Sequence, residues 1–474
     1  MLKTLQNTRL LAILAVTALV GCQQPVGTPT PFGVDVTSGN AAAALPAALT
    51  GGVPMPSGSY VPNELIVQLS DGADAGTALE GFELRASVRL SRRFAAVALP
   101  ADMSLSDAYD ELAARPNIEA VSLNLIMTGT APEPTEATRF DEQWAHRVTG
   151  LEEYWKTHGI ATASNVVVAV LDSGIATGHP EFAGRLGDHG QDFTGETDPN
   201  DPTDRNSHGT HVAGIIGAGG GQVVGVAPDV EILPIKVLGA SGSGSTMGIV
   251  QGMVYAMGLD PDDDGPRTAL PADGSDAIAK RVRVMNMSLG SRVRGRNLLY
   301  EAAVTEATKR GILVVVAAGN DALEVTAPSN ANDSLSISST SPYRLGDRIW
   351  EWLSGFSNRG ERIDLAAPGG QMLSTLPNYP YGKNDAGPQN YGNMSGTSMA
   401  APYASGVAAL VAAKHPPDPG RSEDETYMAA YVNALKQHLF KTADDLGAPG
   451  KDPKYGHGRV NALKALTTPF VYPQ

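Results

Sequence analysis

The residues most able to do chemistry in this chain are one hydroxyl, one imidazole, one carboxylate and one amide, each set in a run of small or apolar residues. Ser398 stands in Gly396-Thr397-Ser398-Met399-Ala400-Ala401-Pro402, and the small and apolar residues from Ala404 through Ala412 predict a helix buried on every side. A helix that begins at a serine fixes the hydroxyl and aims unpaired N–H groups and a positive dipole end at whatever the hydroxyl attacks. Alone, such a serine reads as an N-cap. Three other positions change that reading. Asp172 ends the apolar run 166–171, long enough for a buried parallel strand. His208 opens His208-Gly209-Thr210-His211-Val212-Ala213-Gly214, a second small-residue helix, and Asn320 follows the apolar run 312–318 and Gly319. Open parallel sheets bind ligands at the carboxyl ends of their strands, so Asp172 and Asn320 fall where a site belongs. Together these groups suffice for acyl transfer: Ser398 attacks, His208 takes and returns its proton, Asp172 holds the imidazole tautomer, and Asn320 with the Ser398 N–H binds the oxyanion.

The segments Asp172-Ser173-Gly174, His208 to Gly214, Ala317-Ala318-Gly319-Asn320 and Gly396 to Pro402 resemble, in this chain order, those of the subtilisin-like serine proteases, or subtilases. The order acid, imidazole, hydroxyl is that of subtilisin itself. The likeness runs from about residue 144 to about residue 466. It implies a serine endopeptidase acting on proteins or peptides, in an α/β fold with a three-layer, doubly wound, mostly parallel sheet preceded by a small α+β propeptide domain. A catalytically inert, peptide-binding relative is the alternative, disfavoured because all four positions are filled; an esterase with the same triad is disfavoured by a groove suited to extended peptides.

Elements that must position these residues follow in order. After the His208 helix come a strand at 230–238, a helix at 245–257, a strand at 282–288, a helix at 297–310 and a strand at 312–317. This alternation predicts a parallel sheet with helices on both faces, within one domain at 141–474. Upstream, 60–127 reads as strands at 64–69, 93–99 and 118–127 with a helix at 106–115. Its place resembles the subtilase propeptide, which assists folding and then inhibits, although an unrelated accessory domain fits the same pattern. Residues 128–140 read as the processing linker. Residues 1–21 read as an export signal, with Lys3 and Arg9 before an apolar core too short to span a bilayer. Leu19-Val20-Gly21-Cys22 resembles a lipoprotein cleavage box with Cys22, the one cysteine, as lipidated N-terminus; ordinary cleavage after Val16-Thr17-Ala18 is the alternative. Residues 22–59, rich in Pro, Gly, Ala and Thr, read as a flexible tether. The reading is of an extracytoplasmic monomer, secreted or held at the cell envelope.

A formal charge of −15 argues against nucleic acid as a partner. Gly242-Ser243-Gly244 and Ser288-Leu289-Gly290 lie near strand ends, where an extended peptide can approach the backbone; in subtilases the matching segments clamp substrate. Ala318 and Gly319 resemble, with 288–290, the sides of the pocket for the residue before the cut, and Asp321 stands at its mouth. An exposed carboxylate contributes little, so broad specificity is expected. Calcium is the expected structural cofactor, with Asp198, Asp201, Asp204 and Asn206 before the His208 helix and Asp260, Asp262 and Asp264 in a second acidic loop as its ligands, or as solvated acidic loops. The family's best-known calcium loop, before Gly225-Val226-Ala227-Pro228, looks shortened. The remaining histidines lack paired zinc spacing.

Overall fold

The computed structural model describes residues 60–70, 72–89, 93–125, 137–187, 189–196, 198–259, 281–291, 297–345, 348–377 and 391–474. The signal, Cys22, the tether, most of the processing linker and the loop with Asp260, Asp262 and Asp264 lie outside them. The chain divides into two compact units, Met1–Gly129 and Thr130–Gln474.

In the first unit, β1 (Tyr60–Leu69), α1 (Ala75–Ala78), β2 (Glu83–Arg89), β3 (Arg93–Ala98), α2 (Leu105–Ala113) and β4 (Ile118–Leu125) follow one another. The strands form a four-stranded sheet in the order β2-β3-β1-β4, each pairing antiparallel. Leu65, Val67 and Leu69 alternate along β1 onto the face that packs with Val97 and with Ala108 and Leu112 of α2. Ser104 caps α2 by accepting from the Asp107 N–H at 3.1 Å.

The second unit begins with α3 (Trp144–Val148) and α4 (Leu151–His158), then β5 (Val167–Asp172), β6 (Gln191–Asp192), α5 (His208–Gly217), β7 (Glu231–Lys236), α6 (Thr246–Ala256), β8 (Val282–Met287), α7 (Leu298–Lys309) and β9 (Leu313–Ala317). Beyond these come β10 (Leu335–Leu345), β11 (Arg348–Leu353), β12 (Leu365–Pro368), β13 (Met372–Thr375), β14 (Tyr391–Met394), α8 (Thr397–Lys414), α9 (Glu425–Thr442) and α10 (Ala462–Thr467). The main sheet runs β11-β10-β9-β8-β5-β7-β6, with β12 beside β10. Every pair in it is parallel except β10 with β11.

Strand β5 is buried on both faces, as its unbroken apolar run requires. Val168 and Val170 face one core with Val212 and Ile216 of α5 and Val407 and Leu410 of α8; Val167, Ala169 and Leu171 face the other with Ile249 and Met253 of α6 and Val304 of α7. This is the expected three-layer α/β arrangement. Its centrepiece is α8, buried from Met399 through Ala412 because it carries almost nothing but small and apolar side chains.

One edge departs from the usual pattern of polar residues outward. In the β10–β11 hairpin Ser341 pairs with Trp352, Tyr343 with Trp350 and Leu345 with Arg348, which sets these six on one face. The opposite face carries Ile349, packed on the core, and Glu351, ion-paired to Arg459 at 2.8 Å.

Candidate active site

Asp172 is the last residue of β5, fully buried, and its Oδ1 accepts from the Ser173 N–H at 2.7 Å and pairs with His208 Nδ1 at 2.7 Å. That contact fixes the imidazole with Nδ1 toward the acid and Nε2 toward the opposite side. Burial pushes the His208 pKa down, but the attraction and hydrogen bond of Asp172 outweigh it, with a further contribution from Asp204, and the net shift is upward.

His208 begins α5, and the turn before it is strained: Ser207 has φ of +83°. Asp204 stabilises this turn. Its Oδ1 accepts from Ser173 Oγ at 2.8 Å and from the N–H groups of Asn206 and Ser207, and its Oδ2 accepts from the Thr210 N–H and hydroxyl. A carboxylate so placed satisfies orphan donors at a helix start and complements its dipole. Burial pushes the Asp204 pKa up against the opposing pull of these bonds. Gly209 can only be glycine, since a Cβ there would stand 2.1 Å from the Gly174 carbonyl.

Ser398 is the second residue of α8, partly exposed. Pro402, one turn later, has no N–H to bond the Ser398 carbonyl, and the Ser288 hydroxyl donates to that carbonyl instead at 2.8 Å. The Ser398 hydroxyl donates to the Ser288 carbonyl at 3.2 Å rather than to the imidazole. Resting-state catalytic contacts are often loose in this way. Asn320 is exposed, and its Oδ1 accepts from the Thr397 N–H at 2.8 Å and the Thr397 hydroxyl at 2.9 Å. A backbone N–H can only donate, so the Asn320 oxygen must face Thr397 and its NH₂ faces away, toward Gly396 and the start of α8.

His208 and Ser398 share the wall of a cleft of about 580 Å³ with Gly242, Ser243, Gly244, Ser288, Leu289 and Gly290. Leu238 continues that wall, as do Thr246, Ile249, Tyr300 and Pro328, four residues that sequence reasoning missed because they converge from three separate segments. Ala318 and Gly319 are not part of it. Ala318 is buried, and the Gly319 N–H donates to Thr397 Oγ1 at 3.0 Å, so this pair frames Asn320 from behind. Asp321 is exposed and donates its N–H to Asn358 Oδ1. His211 is a buried partner of the Gly392 carbonyl, its pKa pushed by burial down to about 3.

The residues expected to bind calcium before α5 do not form a cage. Asp204 has both oxygens committed, Asp201 accepts from the Thr203 N–H and Arg205, Asp198 accepts from the Asn200 N–H, and Asn206 donates to the Ala240 carbonyl. Among the described residues, no three His, Cys, Asp or Glu side chains gather to hold a metal ion. These side chains serve as caps and turn braces, a use of loop carboxylates that composition alone does not separate from metal binding. At the shortened loop, buried Glu181 accepts from the N–H groups of Gly221, Gln222 and Val223 at 2.6–3.3 Å and from the Tyr391 hydroxyl at 3.0 Å. The backbone donors there are satisfied by a carboxylate.

Comparison with known proteins agrees with this geometry. Residues 163–458 match the family model described as the subtilase family, and residues 52–124 match the fervidolysin N-terminal prodomain. The chain is 34% identical over 324 residues to the major intracellular serine protease of Bacillus subtilis, covering 66% of this chain and 85% of that relative. It is 36% identical over 310 residues to subtilisin Savinase of Lederbergia lenta, covering 64% and 91%. A solved protease structure from Pseudoalteromonas arctica superposes with a TM-score of 0.55 at 29% identity, covering 70% of this chain and 98% of that one. With the family match spanning more than half of its length, the chain belongs to the subtilase family and is a serine endopeptidase of the subtilisin type.

Proposed function

We propose that peptide bonds are cut by an Asp172–His208–Ser398 triad with Asn320 as oxyanion donor, in a precursor that processes itself. The observation that carries this is the 2.7 Å Asp172–His208 contact at the rim of the same cleft that Ser398 lines. A substrate in extended form pairs with the backbone of 242–244 and 288–290 as an added strand. The Ser398 hydroxyl turns about χ1 from the Ser288 carbonyl to His208 Nε2, and its proton moves to that nitrogen as Oγ bonds the scissile carbon. Asn320 Nδ2 and the Ser398 N–H receive the oxyanion. Asp172 stays ionised beside the imidazolium. The proton then passes to the leaving amine as the C–N bond breaks, and water repeats the sequence on the acyl-enzyme.

The prodomain is read as an intramolecular chaperone and inhibitor released by cleavage in the linker, and the N-terminal segment as an export signal ending at an acylated Cys22 that holds the precursor at the cell envelope. Specificity is broad, the enzyme is a monomer, and no calcium is assigned before α5. Ser398→Ala is expected to abolish casein hydrolysis and prodomain release together. Undiminished self-processing of that variant sinks the assignment. The mass of the N-terminal peptide reports on Cys22: acylation adds the lipid, ordinary cleavage leaves a free thiol.

A further inference from the structure

Trp350, Trp352, Tyr343 and Leu345 are 54%, 51%, 48% and 64% exposed, all on the outer face of the β10–β11 hairpin. Large apolar side chains scattered singly on a surface are ordinary, but four on one face of an edge hairpin form a patch, and on an open edge strand such a patch invites partners. The hairpin is held firmly from beneath by Ile349 in the core and the Glu351–Arg459 ion pair, so the patch does not arise from a loose loop. At its tip Arg344 and Arg348 are exposed, and among the described residues neither has an ion-pair partner.

We propose that this face docks on the surface of an anionic phospholipid bilayer. Three features favour lipid over other occupants. Indole and phenol rings carry an apolar body and a polar tip, the chemistry that settles at the bilayer–water boundary. Arg348 on the aromatic face, with Arg344 beside the turn on the other face, supplies a locally cationic pole for lipid phosphates on a chain of net charge −15. A sugar polymer would need ring faces open for stacking, yet Tyr343 and Trp352 stack on each other at 5.2 Å with planes 27° apart. The inference rests on the envelope reading only for its consequence. Cleavage in the linker separates the catalytic unit from any lipid on Cys22, and the hairpin then gives the mature protease a weak, reversible hold on the surface.

The four tryptophans make the test direct, because Trp144 and Trp155 are buried and only Trp350 and Trp352 can meet lipid. The full chain carrying Cys22→Ser is mixed with phosphatidylglycerol-containing or pure phosphatidylcholine vesicles bearing brominated acyl chains. Expected are co-sedimentation, a blue shift and bromine quenching, stronger on the anionic vesicles and weakened by salt. Trp350→Ser with Trp352→Ser should lower partitioning about tenfold or more while casein hydrolysis is retained; Leu345→Asp should act in the same direction, and Arg344→Gln with Arg348→Gln should erase the anionic preference. Vesicle binding without quenching would assign the contact to the N-terminal segment and overturn the proposal. So would absence of vesicle binding at low salt, whether or not the chain self-associates through the hairpin or pellets with an insoluble glycan.

Discussion

The Thr397 hydroxyl accepts from the Gly319 N–H and donates to Asn320 Oδ1, so it braces the proposed oxyanion donor from the side away from the cleft. Thr397→Val keeps the shape and the N–H to Asn320 but removes both hydroxyl bonds; kcat is expected to fall about tenfold with KM nearly unchanged, against roughly 10²–10³ for Asn320→Ala, as steady-state kinetics on one peptide substrate will show. The pH profile follows from His208. Catalysis needs the neutral imidazole, so activity is lost as pH falls through its folded pKa, which Asp172 lifts above the ordinary imidazole value. Asp172→Asn is expected to move the acid limb of kcat/KM to lower pH and to cut kcat by roughly 10⁴; a limb that stays in place would show that the carboxylate does not set that titration. The positions of the four candidate groups were legible in the sequence because Asp172 ends a buried strand, His208 and Ser398 stand at the starts of buried helices, and Asn320 follows a buried strand by three residues. Asp204 was not. A carboxylate four residues before a helical histidine reads the same whether it caps the helix or ligates a metal, and only its five donors distinguish the two.

The helices α6 and α7 lie within one residue of their expected bounds at each end, because Ser245 and Asn297 accept from N–H groups of the first turn and mark the start unambiguously. The β10–β11 hairpin gave no such signal, and its pairing places Trp350 and Trp352 outward while Glu351 turns in to meet Arg459. Strand β2 was missed because Glu83, Arg85 and Arg89 break up the apolar run that marks β1 and β3. At the loop 219–224, Glu181 gathers three backbone N–H donors from one side. Glu181→Gln leaves at least one donor buried against an NH₂ and is expected to cost about 1–3 kcal/mol, read as a lower Tm and faster nicking near residue 221, with kcat unchanged.

Across the molecule, two buried imidazoles oppose acid. His146, stacked on Phe140 and bonded to Tyr403 and the Val224 carbonyl, has its pKa pushed by burial to about 4, and burial takes His211 to about 3. Both remain neutral when folded and charge readily when unfolded. The unfolded chain therefore binds more protons once pH drops below the ordinary imidazole value, and stability falls between there and about 4 by on the order of 1 kcal/mol per pH unit for each. Urea midpoints measured across that window test this, and His146→Phe should flatten the slope.

The proposed site draws its acid from residue 172, at the end of β5, and its nucleophile from residue 398, at the start of α8, a helix that lies against a sheet containing β7, β8 and β9. Contacts so remote in sequence form late. A chain still emerging from the ribosome, halted partway or unravelled by heat therefore holds no competent scissors, and the cell that makes this enzyme is spared until the last third of the polypeptide has closed the fold.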